Sequence, residues 1–534
     1  MTQDAWPQRW FGHPARATLA LFVIGAAPLL LGTVPPLQDL PNHLATAFIA
    51  EHLAEYPDLQ ANGFLRSNAL LALWLHLFGG PLGLVGAARL FVGGTLLAMA
   101  AALAWLGFAL AGPERLPSVT LLAWPMVHGF FVPVGLLNFS VGVAGALGAL
   151  ALARLREREP STAKTVGLAL LGMAAWYGHP FPITVVTGLV GLEVLLSAPW
   201  QSWPRRLGVA IAPFVPALSL SLVTAAVHWL KPEARPPLID AGVFYLSPWQ
   251  TVGQLWAHGP AGFSWLEATA LLPALVLAAS AWRERTRPVP YFRWPTMGLL
   301  LVAFFAMPAS LSNWGLFNAR MIPFLWAGLL VRAPAALPRA LSRGLAAAAV
   351  AYAAAMTVDY HRLERERQAF CAAIPHVAPG ARLLPLIFEQ HGSAPFTEHL
   401  KHDWGYYVLA RRTTAPLLFA VERSYPLTYV RWDPPELLPP AIDLMAIANR
   451  SPGEVCHDHR RELDPECRQR FEERWRRFWA IAEPRFDHLL TWEEQPGFAA
   501  LVPPSFHRAF VQGPLVLYVK ASPGEVGRAQ GRAP

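Results

Sequence analysis

The chain has 534 residues, 54% of them hydrophobic and only 15% charged, with a mean hydropathy of +0.33. Soluble domains carry about 25% charged residues, so this composition excludes an ordinary soluble enzyme. The formal net charge of +8 is concentrated in short loops between apolar runs, which makes it a membrane-topology signal and not a nucleic-acid footprint.

In chain order, apolar runs occupy residues 18–34, 85–111, 116–134, 136–153, 165–177, 182–197, 207–228, 266–282, 296–311, 316–331 and 344–357. Each approaches the length needed to cross a hydrocarbon core of ~30 Å, giving about eleven transmembrane helices. The run 70–78 is too brief to span and reads as interfacial or re-entrant. Arg9 and Arg16 precede the first run as they would in a signal peptide, but no small-x-small cleavage site precedes Pro35. That run therefore reads as an uncleaved first helix.

Orientation follows from lysine and arginine. With the N-terminus in the cytoplasm, cytoplasmic loops receive Arg115, Arg154, Arg156, Arg158, Lys164, Arg205, Arg206, Arg283, Arg285, Arg287, Arg293, Arg332, Arg339 and Arg343. The outer loops hold only Arg66, Lys231, Arg235 and Arg320. An odd number of spans then places everything after Asp359 outside. The expected organisation is an α-helical polytopic membrane domain over 1–358, with a first outer loop at 35–66, and an extracytoplasmic α/β domain over 359–534. In that tail, "HRLERERQ" (361–368) and "RQRFEERWRRF" (468–478) read as solvated helices, and 381–388, 486–492 and 514–521 as strands. All three cysteines, Cys371, Cys456 and Cys467, fall there. In an oxidising compartment Cys456 and Cys467 either pair or stay unpaired; the spacing of "CHDHRRELDPEC" fits no zinc signature well.

The most informative stretch is "VPPLQDLPNHLATAF" (34–48), at the outer end of the first run. Asp39 reads as the cap of a helix with Pro41 in its first turn. Leu44, Phe48, Ile49 and Leu53 form an apolar stripe while His43, Glu51 and Glu55 face away, so the helix is expected to lie on the outer membrane surface. Asp39 and His43, four apart, share one face. Other polar residues collect at the same level: His128, Asn138, His179 in "WYGHPFP", and Asn313, Asn318 and Arg320 in "SNWGLFNAR". Arg89 sits about one turn inside its helix. An interfacial histidine or asparagine is commonly just a satisfied loop residue, whereas an arginine in apolar surroundings calls for an anionic partner. Together these residues outline an outward-facing polar cavity suited to phosphate. No P-loop after a strand, GxSxG or HExxH is present.

An aspartate before an amphipathic helix in the first outer loop, many spans and an outer C-terminal domain resemble the GT-C superfamily of glycosyltransferases, among them protein O-mannosyltransferases and aminoarabinose transferases. The resemblance implies a bacterial inner-membrane enzyme that moves a sugar from a polyprenyl-phosphate carrier to an extracytoplasmic glycan, lipid or protein acceptor. It makes Asp39 the candidate catalytic carboxylate, acting as a base or helping to hold a metal, with His43 beside it. Arg320 and Arg89 become candidates for the carrier phosphate, and His179, Asn138, His128 and Asn313 for the rest of the substrate cavity. Many members carry a second acidic residue in the next outer loop. Here "HGFFVPVGLLNFS" (128–140) offers only His128 and Asn138, so the sequence assigns no cofactor and a divalent metal stays a weakly supported alternative. The expected partners are the carrier-linked sugar, the acceptor and the bilayer, with no nucleic acid. A lipid or polysaccharide flippase, for which no internal repeat is visible, and a non-catalytic polysaccharide assembly factor are the alternatives.

Overall fold

Proline sets where many of the helices begin. The helices Pro14–Ala26, Leu40–Glu51, Leu116–Val127, Pro180–Ser197, Trp294–Ala306 and Ile322–Leu330 each carry a proline in the first turn. At that position the missing N–H has no intrahelical partner to lose. The computed structural model describes residues 12–29, 32, 34–230, 243–258, 267–311, 315–388, 397–420, 425–431, 434–438, 441–442 and 465–521. Asn313 and Cys456 lie outside the described residues, and so does any pairing of Cys456 with Cys467.

The protein is mainly helical. Among the described residues, six helices are long and apolar enough to cross a membrane: Leu84–Ala111, Pro113–Val134, Leu137–Arg158, Pro180–Ser197, Trp200–Ala226 and Arg339–His376. Shorter apolar helices cover Pro14–Leu29, Leu70–Leu82, Thr269–Arg283 and Trp294–Ala306. The run expected to span at 316–331 forms an α-helix only over Ile322–Leu330, nine residues, which rises about 14 Å and cannot cross a bilayer alone. The brief run at 70–78 extends to a 13-residue helix, Leu70–Leu82, turned at Gly83 (φ 69°) into Leu84–Leu106. Trp74 Nε1 donates to the Ala87 carbonyl at 2.8 Å and closes that elbow.

The arginine-bearing loops gather at one end of the bundle. Arg115 lies 3.1 Å from Glu284, Arg293 grips Glu193 at 2.9 Å, and Arg332 donates to the carbonyls of Glu284, Arg287 and Phe292. Tyr291 donates through its hydroxyl to Glu157 at 2.6 Å.

At the other end, the C-terminal region holds a four-stranded sheet in the order Leu383–Ile387, His488–Trp492, Leu515–Lys520, Phe506–Gln512. The first pair is parallel and the others antiparallel. Three of these strands match the apolar runs read from sequence; Phe506–Gln512, whose inner residues are mostly exposed, lacked that signal. The helix Pro465–Ala482 buries Phe471, Trp475, Phe478 and Trp479 in the same core as Leu489 and Tyr518.

Three expectations change. The helix Arg339–Phe370 is continuous for 32 residues, so the boundary drawn at 358/359 falls inside it. Its "HRLERERQ" stretch is not simply solvated, because Leu363 and Glu364 are buried. Nor does Leu40–Glu51 lie free on a membrane surface. Leu40 and Leu44 pack into the core of the helical bundle, while Ala45 and Ile49 belong to the C-terminal core with Trp404, Val408 and Leu417. Apolar residues on two faces sandwich this helix between the halves of the protein. Leu59–Ala61 adds to the junction by pairing antiparallel with Leu427–Tyr429.

Candidate active site

The site is built around Asp39. Backbone hydrogen bonds from Gln38 N to the Pro133 carbonyl (3.0 Å) and from Asp39 N to the Val134 carbonyl (3.1 Å) dock the segment on the turn 131–135. That turn closes at Gly135 with φ 88°, where an added Cβ would come within 2.7 Å of the Asp39 nitrogen. Glycine is required there on both counts.

Asp39 precedes the helix Leu40–Glu51, yet its side chain caps nothing. With φ −88° and ψ −10° it has helical geometry, not the extended geometry of a capping residue, and Pro41 offers no N–H to receive. The carboxyl group is turned elsewhere. It is 8% exposed, takes a hydrogen bond from Gln38 Nε2 at 3.4 Å on Oδ1, and the same oxygen lies 3.6 Å from His402 Nε2.

His402 comes from the strap 397–404, which is tied down along its length. Glu398 N donates to Gln38 Oε1 at 2.8 Å, Lys401 pairs with Glu398 at 2.8 Å, and His399 lies 2.7 Å from Glu366 of the long helix. Asn42, fully buried, joins the pieces. Its Nδ2 donates to the Leu417 carbonyl at 2.9 Å and approaches His402 Nδ1 at 3.3 Å, while its Oδ1 accepts from Phe419 N at 3.1 Å.

Burial dominates the electrostatics. It pushes the Asp39 carboxyl up to about 7, against the opposing pull of Lys401 and the Gln38 hydrogen bond, with Glu398 adding to the rise. Burial drives His43 down to about 4 and holds His402 well below the usual imidazole range, the nearby Lys401 and His43 lowering it further. Near neutral pH burial leaves both imidazoles uncharged.

A second polar group lies across an aromatic bridge. Arg320 is 6% exposed; its guanidinium meets His179 Nε2 at 2.6 Å, donates to the Gly315 carbonyl at 3.3 Å, and stacks over Phe139 at 5.1 Å. His179 is held in place by accepting from Phe181 N on Nδ1 at 3.1 Å. Close backbone packing positions this turn: a Cβ on Gly178 would meet the Asn138 carbonyl at 2.8 Å. The Tyr425 phenol lies within electrostatic range of Arg320 and stacks on Phe419 at 5.6 Å. Phe419 in turn contacts His402 at 4.9 Å and His43 at 5.7 Å. The ring of Phe139 also lines a small apolar cleft with Met99, Met126, Phe130, Phe131, Ile322 and Trp326.

The sequence-derived candidates divide accordingly. Asp39, Arg320 and His179 are brought to this region, and the His43 ring reaches it through Phe419, His43 bonding Asp39 through the backbone, N–H to carbonyl at 3.2 Å. Asn138 instead spends its amide on the chain, accepting from Leu71 N and donating to the Asn68 carbonyl, both at 2.8 Å. His128 is fully buried between the Gly25 carbonyl (2.9 Å) and the Tyr360 hydroxyl (2.6 Å). Asn318 donates to Gln254 at 2.7 Å. Arg89 is exposed on its helix and reaches only the Leu29 carbonyl, at 3.4 Å. Three of these four make hydrogen bonds within the chain, and the fourth is exposed. His402, Asn42, Phe419 and Tyr425 carry no local signal, since Asn42 and His402 stand 360 residues apart in the chain.

The donors around Asp39 do not suit a divalent cation. Glu398 is engaged by Lys401, His402 Nδ1 by Asn42, and no group of three or more His, Cys, Asp or Glu gathers into a metal site among the described residues.

No protein-family model matches the chain, and no curated protein sequence matches it. Among solved structures, it is similar to the cryo-EM structure of arabinofuranosyltransferase AftD from Mycobacteria, with a TM-score of 0.50 and 14% sequence identity. The match covers 96% of this chain but 42% of AftD, so the chain spans less than half the length of that enzyme. What the two share is a fold.

Proposed function

We propose that this protein is a membrane glycosyltransferase that moves a sugar from a polyprenyl-phosphate carrier to an acceptor hydroxyl on the outer side of a bacterial plasma membrane. The observation that carries this reading is the state of Asp39: a buried carboxyl next to a helix start, released from capping, with its proton affinity raised to about 7. A group tuned to neutral pH and aimed into a site suits general base work.

In this reading the acceptor oxygen attacks the anomeric carbon, the bond from that carbon to the carrier phosphate oxygen breaks, and Asp39 takes the acceptor proton. Arg320, seated by the Gly315 carbonyl and the face of Phe139, neutralises the departing lipid phosphate. The apolar cleft beside Phe139 suits the first isoprene units of the carrier. The strap 397–404 and the Phe419–Tyr425 pair cover the site from the C-terminal side, where the acceptor would bind. Clustering of the arginine-bearing loops at the far end supports a cytoplasmic placement for them and an outer placement for 359–534.

The test is transfer of labelled sugar from a polyprenyl-phosphate donor in membranes containing wild-type or Asp39→Asn protein. Loss of about 10²-fold or more at normal expression is expected for removal of a general base. Full transfer by Asp39→Asn would remove Asp39 from the chemistry.

A further inference from the structure

We infer that His402 is a positioning residue for Asp39, its imidazole locked by Asn42 into the tautomer that aims an N–H at the carboxylate. The inference rests on the reading of Asp39 as the reacting carboxyl, and it makes the C-terminal strap a component of the site.

The lock follows from donor and acceptor roles. Asn42 Oδ1 accepts the Phe419 N–H, and Nδ2 faces the Leu417 carbonyl at 2.9 Å. Reversing the amide would set oxygen against oxygen and N–H against N–H, so its orientation is fixed. Nδ2 is then a donor toward His402 Nδ1, which accepts. A neutral imidazole that accepts on Nδ1 carries its hydrogen on Nε2, the nitrogen 3.6 Å from Asp39 Oδ1. The ring is clamped edge-on against Phe419 at 4.9 Å, so it cannot rotate away without moving that side chain.

The consequence for Asp39 is asymmetric. Gln38 and His402 both address Oδ1, and Oδ2 takes no hydrogen bond among the described residues. One oxygen is held and the other is left for the acceptor hydroxyl. The 3.6 Å approach is longer than a formed hydrogen bond and suits a contact that tightens when substrate enters. The charged and titratable groups facing Asp39 are His402, Lys401 and Glu398 from the strap, with His43 on its own helix.

The experiment titrates the Asp39 carboxyl directly, by infrared difference spectroscopy of the full chain in nanodiscs with Asp39→Asn as the subtraction reference. His402→Ala removes the donor and should move the Asp39 midpoint upward by about one pH unit. His402→Gln, whose amide can present an N–H at the Nε2 position, should restore it. Asn42→Ala, which frees the tautomer, should move it in the same direction as His402→Ala. In transfer assays His402→Ala should lower kcat with little change in KM, and His402→Gln should recover it. A melting temperature within a few degrees of wild type for His402→Gln secures the comparison. An Asp39 midpoint unchanged in His402→Ala overturns the inference. The infrared readout needs no substrate, so a moved midpoint together with full transfer by Asp39→Asn would sink the proposed chemistry and leave the pairing standing.

Discussion

Gly405 and Pro41 lie in such close contact that a Cβ on Gly405 would come within 2.3 Å of the Pro41 carbonyl oxygen. This is where the helix Gly405–Arg411 of the C-terminal region begins against the helix that follows Asp39. The contact sets how near His402 comes to Asp39. Gly405→Ala must push two backbones apart, at a cost of about 1–3 kcal/mol. It should also lower transfer activity more than its loss of stability accounts for, because His402 and Asn42 separate. Thermal unfolding and transfer rates measured on the same preparation check this; an alanine variant with wild-type values of both would show that the contact relaxes freely.

Asp39 should carry a stability cost that depends on pH. Its carboxyl, 3.8 ordinarily, rises to about 7 in the folded protein, so the folded state holds the proton more tightly than the unfolded one. A raised acid gives stability that is present below the unfolded value and lost as pH climbs through the folded value. Wild-type stability should therefore fall between about pH 4 and 7 relative to Asp39→Asn, by up to a few kcal/mol. Asp39→Asn should consequently melt higher at pH 8, since no capping bond is lost with the charge. Transfer should run the other way, with kcat/KM rising through about pH 7 as the base form appears. Melting curves and rate profiles across that range decide both.

Arg320→Lys keeps the charge but loses the planar fork that reaches His179, Gly315 and the Phe139 face at once. Transfer should fall by about tenfold or more, and Arg320→Ala further, with the effect appearing in the KM for the lipid-linked donor. Equal donor KM in all three proteins would assign Arg320 a purely structural role.

Asn138→Ala should behave differently. It strands the Leu71 N–H and the Asn68 carbonyl, the two groups that start the helix Leu70–Leu82. A destabilisation of about 1–3 kcal/mol is expected, with kcat and KM of the surviving protein near wild type. A selective rise in KM would return Asn138 to the substrate cavity.

The sequence alone determined the elements whose signal is local. Apolar runs marked most of the long helices, arginine marked the loops that meet around Glu193 and Glu284, and short apolar runs marked three strands of the four-stranded sheet. It also singled out Asp39, through its place in the first outer loop, and Arg320, because an arginine beside apolar spans calls for an anionic partner. Tertiary structure decided what local pattern cannot encode. An asparagine or histidine at an outer turn reads the same whether it sits beside a buried arginine, as His179 does beside Arg320, or closes a gap in the chain, as Asn138 and His128 do. The helix Leu40–Glu51 looks amphipathic until a second layer covers its other side. His402 meets Asp39 only because Gly405 and Gly135 let distant backbones approach, and such a meeting depends on packing and not on spacing along the chain.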